Sequence, residues 1–205
     1  MNLFVHRTIE YSLFILFSLF FLHYALEALL IGDTFRLFFV LIPAFILSLV
    51  PFLVECKMKV DLIPGTKSLV ALALLLHVAG GINRFYWLYS PFYDKLAHVI
   101  SALALLLVVF SLFEFLDYYE YHYPRKFVLG AVVLITAVFM VAWECAEYSI
   151  DLLVQSSYNN GLYDTIGDLI ANLVGIGVGL LIIRYHILKI PPGKGIGWLL
   201  IRIDS

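Results

Sequence analysis

Six apolar stretches follow one another along the chain, at 11–31, 35–54, 68–82, 96–115, 127–150 and 166–188. A helix needs about 20 predominantly apolar residues to cross the ~30 Å hydrocarbon core of a bilayer. The succession therefore predicts an all-α polytopic membrane helical bundle of about six transmembrane helices. Composition agrees, with 63% hydrophobic and 14% charged residues, where a soluble domain has about 45–50% and about 25%. Six crossings within 205 residues leave little for anything else, so 1–205 reads as a single integral membrane domain. The stretch 191–205 reads as a tail lying in the cytoplasmic interface, because Trp198-Leu199-Leu200-Ile201 sits between Lys194 and Arg202.

The segment 68–82 is the short one. Bounded by Pro64-Gly65 and Asn83-Arg84, it spans fully only if it runs on through Phe85-Tyr86-Trp87-Leu88, and an interfacial or half-membrane element is its alternative. The first segment reads as a retained helix, with no strongly basic leader and no small-x-small cleavage site before Asp33.

Lys and Arg fall unevenly between the two sides. Ten (Arg7, Lys57, Lys59, Lys67, Arg125, Lys126, Arg184, Lys189, Lys194 and Arg202) share the side of both termini, against Arg36, Arg84 and Lys95 on the other. The positive-inside rule then puts both termini in the cytoplasm of a multi-pass cell-membrane protein. Aromatic residues from Phe85 to Tyr93 and from Tyr118 to Tyr123 read as interfacial belts. A net charge of −2 without a basic run excludes nucleic acid as a partner. Cys56 and Cys145 fall near opposite ends of their spans and should not pair.

Charged groups within a bilayer cost about +2.5 to +3.5 kcal/mol each on insertion scales and persist where they pair, line water or do chemistry. Asp94 and His98 open the fourth span at i, i+4, and Glu144 and Glu147 close the fifth at i, i+3. Asp164, Asp168 and Asn172 run down the sixth, a polar line about 12 Å long at ~1.5 Å per residue, before Gly175 and Gly179 turn the stripe into a packing face. His23 and Glu27 in the first span and His77 in the third end on the same side and read as a secondary polar shell with Asn172.

Carboxylates and an imidazole at one depth are the ligand set of a divalent cation, so Asp94, His98, Glu144, Glu147, Asp164 and Asp168 are the candidate metal ligands. Carboxylates this close need a cation or shared protons. The bland reading is that they pair with each other or with Lys95 or Arg84, or that Asp94 and Asp164 cap helix N-termini. Phosphate-loop, zincin and serine-nucleophile motifs are missing.

The pattern Asp94-x-x-x-His98, Glu144-x-x-Glu147 and Asp164-x-x-x-Asp168-x-x-x-Asn172-x-x-Gly175 resembles the YjdF-like family of uncharacterised prokaryotic inner-membrane proteins and, more distantly, the VanZ-like family. The resemblance covers the second half of the chain and brings no established reaction. The VanZ-like likeness implies an envelope theme, although the fifth span has Glu147 where that family has glutamine. Three readings stay open: a metal-dependent hydrolase or transferase on a lipid or envelope precursor, a proton- or cation-coupled transporter, and a structural or assembly protein.

Overall fold

The computed structural model describes residues 3–154 and 161–200. Seven helices follow in order among the described residues: α1 (Leu3–Ile31), α2 (Ile42–Met58), α3 (Thr66–Ile82), the single turn α4 (Phe85–Leu88), α5 (Phe92–Tyr118), α6 (Arg125–Val154) and α7 (Leu162–Ile187). A π-helical stretch (Arg36–Leu41) leads directly into α2, and Asp33 holds its start by accepting from the Arg36 backbone N–H at 2.9 Å. Five segments, Thr8–Ile31, Arg36–Met58, Phe92–Tyr118, Arg125–Leu153 and Leu162–Ile187, are long and apolar enough to cross a membrane. The chain is an all-α polytopic bundle.

The helices run beyond the apolar stretches at several ends. α5 begins at Phe92 and α7 at Leu162, so Asp94 and Asp164 lie inside first turns. The extensions cost little, because polar helix ends satisfy their orphan N–H groups in the headgroup region.

The third apolar segment forms α3. It has 17 residues, about 25 Å at 1.5 Å per residue, short of a full core. It packs against α1, α2 and α5, so protein rather than lipid surrounds much of it. After a left-handed Arg84, α4 turns back as a separate element.

α5 is the centre of the bundle. Leu103, Leu106, Leu107 and Phe110 lie in the main core with Val128 and Val132 of α6 and Ile176 and Ile183 of α7. The α5–α7 contact is made close by glycine: a Cβ on Gly175 would stand 2.3 Å from the Val99 carbonyl oxygen, and one on Gly179 2.4 Å from Leu106 Cδ2. This is the small-residue packing expected between membrane helices. A smaller core joins Phe21, Tyr24 and Ala28 of α1 to Leu75 and Val78 of α3.

The described part of the tail is docked on the bundle. Ile196–Leu200 forms a 3-10 turn docked on the end of α5, with Ile196 and Leu200 buried. Asp117 Oδ2 accepts from the Gly197 N–H at 2.7 Å, and the Leu200 carbonyl accepts from the Asp61 N–H at 3.2 Å. The Asp117 carboxylate makes this a charge-assisted bond, stronger than one between neutral groups. Ile201 and Arg202 lie outside the described residues.

Candidate functional site

The N-terminal ends of α5 and α7 and the C-terminal part of α6 converge, and the predicted carboxylates meet there. Lys95 occupies the α5–α7 side. Its Nζ stands 3.1 Å from Asp94 Oδ2, 2.5 Å from Asp164 Oδ1 and 2.7 Å from Asp168 Oδ1. Its stem crosses Gly167, where a Cβ would come within 2.8 Å of the lysine Cε. One ammonium thus serves three carboxylates, and glycine supplies the space it needs.

His98, one turn below Asp94, is buried in the middle of the cluster. Its Nε2 lies 3.5 Å from Asp94 Oδ1 and from Asp168 Oδ1, and its Nδ1 lies 3.5 Å from Glu144 Oε1. These distances exceed a normal N–H···O bond. His98 Nε2 and both Glu144 oxygens are buried and have no hydrogen-bond partner. Glu147 is oriented from its own helix, since Trp143 Nε1–H donates to its Oε1 at 2.8 Å.

Two triplets of donor atoms therefore share the imidazole: Asp94, His98 and Asp168, and His98, Glu144 and Glu147, each set lying within 4.8 Å of one another. Donors held 2.0–2.6 Å from one ion are at most about 5 Å apart. Both triplets meet that limit, but the first already contains the Lys95 ammonium against Asp168. The second has no cationic side chain other than His98 itself among the contacts described, and it is where the unpartnered oxygens gather.

Behind His98 stands a second imidazole. The His77 and His98 ring centroids are 6.4 Å apart and nearly perpendicular. His77 Nδ1 is 2.6 Å from the Tyr86 hydroxyl and Nε2 is 3.0 Å from Ser101 Oγ. The pairing that satisfies all three groups has the phenol donating to Nδ1 and Nε2–H donating to the serine. Tyr86 reaches in over Gly80, whose missing side chain makes room for the ring. Tyr86 and Tyr93, read from sequence as belt residues, both turn inward, Tyr93 donating to the Leu76 carbonyl at 2.7 Å.

All six candidate ligands thus lie at one end of the bundle, with Asp164 tied to the rest through Lys95. Of the secondary shell, His77 adjoins His98, and Asn172 is buried one turn below Asp168 with neither side-chain polar atom partnered. His23 and Glu27 do not join. Both are exposed, because Tyr24 and Ala28 occupy the core-facing stripe of α1 and rotate their neighbours outward. Cys145 is exposed and, like Cys56, carries a free thiol.

A second buried ion cluster lies at the opposite end. Lys67 Nζ contacts Glu55 Oε2 at 2.6 Å and Glu10 Oε2 at 3.2 Å, and the Leu62 N–H donates to Glu55 Oε1 at 2.9 Å. Lys67, read from sequence as a loop charge, is 3% exposed. Its partners are 57 and 12 residues away in the chain, too far for helical spacing to reveal. Without it the loop charges still favour the same orientation.

Fold and site together define a polytopic membrane protein with a buried histidine–carboxylate cluster at one end of its central helix. The chain belongs to the family described as Predicted membrane protein (DUF2238), whose model matches residues 9–189. No curated protein and no solved structure matches it.

Proposed function

We propose that the His98–Glu144–Glu147 side of the cluster binds a divalent cation, and that the protein is a metal-dependent hydrolase or transferase acting on a lipid or envelope precursor at the extracytoplasmic face of the cell membrane. The observation that carries the reading is Glu144: it is 4% exposed, neither of its oxygens has a hydrogen-bond partner, and its nearest charged neighbour is His98 Nδ1 at 3.5 Å. A buried carboxylate without hydrogen bonds is costly enough that a bound cation is called for. An imidazole with two carboxylates suits Mn, Fe or Zn. When bound, such an ion supplies polarisation of a phosphoryl or carbonyl oxygen and activation of water.

The chain's own residues divide the remaining work. Trp143 fixes one oxygen of Glu147 and so the direction in which the other faces. Lys95 bridges Asp94, Asp164 and Asp168, joining α5 to α7 and leaving Asp168 beside the His98 ring. Those three acids act on this reading as the frame of the site, and Asp168 as its nearest additional donor. The uneven loop charge supports cytoplasmic termini, and the spacing likeness to the YjdF-like family supports a shared polar site.

Metal analysis of the protein purified in detergent tests the proposal. A divalent cation should co-purify or rebind at one equivalent, be lost in Glu144→Gln and Glu147→Gln, and be retained in Asp164→Asn. A folded wild-type protein that neither retains nor rebinds Mn, Fe or Zn would falsify it.

The transporter reading has one observation in its favour, the second buried ion cluster at the far end. The groove beneath the site is lined mainly by apolar side chains, which favours the enzyme.

A further inference from the structure

An apolar groove of about 440 Å³ leads to the site from the middle of the bundle. Leu47 and Val50 of α2 and Val70 of α3 form one wall, Leu105 and Val108 of α5 the floor, and Met140 of α6 the other wall. The polar lining residues, His77, His98, Ser101 and Trp143, are the same groups that make or adjoin the site. The volume falls within the range of about 300–1,000 Å³ typical of ligand pockets.

Position within the bilayer sets what can reach it. α5 has 27 residues and is therefore ~40 Å long, the depth of the hydrocarbon core plus both headgroup regions. The helix midpoint is Leu105, so Val108 lies about 4–5 Å past the midplane and His98 about 10 Å before it, and the stretch from one to the other is ~15 Å, the hydrocarbon depth of one leaflet. The groove is thus one leaflet deep. Its side faces lipid, because α2 packs on α3 while α6 packs on α5 and α7, leaving this face of α5 between them. Leu47 and Val50 are 55% and 44% exposed.

The dimensions select among apolar occupants. A volume of 440 Å³ spread over ~15 Å has a mean section of about 30 Å², which accommodates a single hydrocarbon chain. Trp143, 46% exposed at the polar end, has the amphipathic ring found at headgroup level.

We propose that this groove holds one acyl chain of a membrane phospholipid from the leaflet on the site's side, admitted laterally between α2 and α6, with its headgroup at His98, Glu144 and Trp143. This deepens the proposed function by naming the substrate class, and the chain-binding step itself needs no metal. The groove places the ester and phosphate region of the lipid at the depth of the carboxylates, where a water-soluble substrate would have no use for an apolar slot.

The test is photolabelling of the full chain in vesicles of phosphatidylethanolamine and phosphatidylglycerol, with a trace of phosphatidylethanolamine bearing a mid-chain diazirine. Adducts should concentrate on Val70, Leu105 and Met140, several-fold above Leu134 and Leu181 on the outer lipid-facing surfaces. Leu105→Trp and Val70→Trp, which fill the groove from its floor and from one wall, should each lower groove labelling several-fold while leaving Leu134 and Leu181 labelled as before, which also reports an intact fold. Glu147→Gln, at a cation ligand away from the headgroup contacts, should lose the cation and keep the adducts, so a failure of cation binding and a failure of lipid binding read separately. Equal labelling of groove and outer surface overturns the proposal, as does groove labelling that survives both tryptophan variants. Labelling by a diazirine fatty acid but not by the phospholipid also overturns it.

Discussion

Lys95 Nζ lies 2.7 Å from Asp168 Oδ1, a contact between α5 and α7 across 73 residues of chain. The same ammonium holds Asp164 and Asp94, so one lysine joins the first turns of two helices at the point where the candidate site begins. Asp168 is almost wholly buried while the lysine side chain is one-quarter exposed. Lys95→Met should therefore lower stability by about 2–4 kcal/mol, near the low end of the cost of stranding a buried charge. Thermal unfolding in detergent measures it. Lys95→Met combined with Asp168→Asn should recover part of the loss, because the stranded carboxylate is then neutral; a double variant that simply adds the two losses would refute the coupling.

The opposite cluster has less water. Lys67 is 4% exposed in its side chain and Glu55 2%, so Lys67→Met leaves Glu10 and Glu55 facing each other without a cation. The expected loss is about 3–5 kcal/mol, larger than for Lys95. Expression and unfolding temperature of the variant, set beside Glu55→Gln, check the ordering: the glutamine should be the milder change, because Lys67 keeps Glu10 at 3.2 Å.

These two lysines mark where sequence reasoning reached and where it stopped. Asp94 with His98, Glu144 with Glu147, and Asp164 with Asp168 and Asn172 are each neighbours on one helix, and helical spacing makes such pairs visible. That three helices bring them to one end follows from counting crossings. Partners on different helices carry no periodic signal, so the Glu10–Lys67–Glu55 cluster was hidden and Lys67 passed for a loop charge. The inward turn of Tyr86 was hidden for a related reason, since it depends on α4 folding back over Gly80. His23 and Glu27 misled because i, i+4 spacing says that two residues share a face but not which way that face points. The docked tail depends on Asp117, whose role appears only when α5 is seen to end beside Gly197.

Gly175 and Gly177 make a controlled comparison of that packing. An alanine Cβ at Gly175 would stand 2.3 Å from the Val99 carbonyl oxygen, whereas at Gly177 it meets nothing within 4 Å. Gly175→Ala must push α7 from α5 and should cost about 1–3 kcal/mol as overpacking, disturbing the Asp168–Lys95 contact one end away. Gly177→Ala should be neutral or slightly stabilising, since alanine is the better helix former. Unfolding temperatures of the two proteins decide it, and equal losses at both positions would contradict the close contact.

The tail should come away when its anchor is blocked. Gly197 brings its N–H to Asp117, and a Cβ there would stand 2.5 Å from the Tyr118 backbone nitrogen. Gly197→Ala should free the segment after Ile190, read as faster cleavage by a protease added to the detergent-solubilised protein. Asp117→Asn keeps the space but weakens the charge-assisted bond, so its cleavage rate should fall between wild type and Gly197→Ala.

Sidedness follows from the loop charges and can be read by thiol labelling. With Lys67 and Lys95 set aside as buried or clustered partners, nine basic residues remain on the side of the termini and two, Arg36 and Arg84, on the other, a bias that supports the proposed extracytoplasmic site. Tyr89, exposed between α4 and α5, and Lys57, exposed at the end of α2, stand at opposite ends of the bundle. In a Cys56→Ser/Cys145→Ser background, Tyr89→Cys in intact cells should react with a membrane-impermeant maleimide. Lys57→Cys should react only after the membrane is opened. The reverse pattern would put the histidine–carboxylate cluster on the cytoplasmic side and turn the search for its substrate to the inner leaflet.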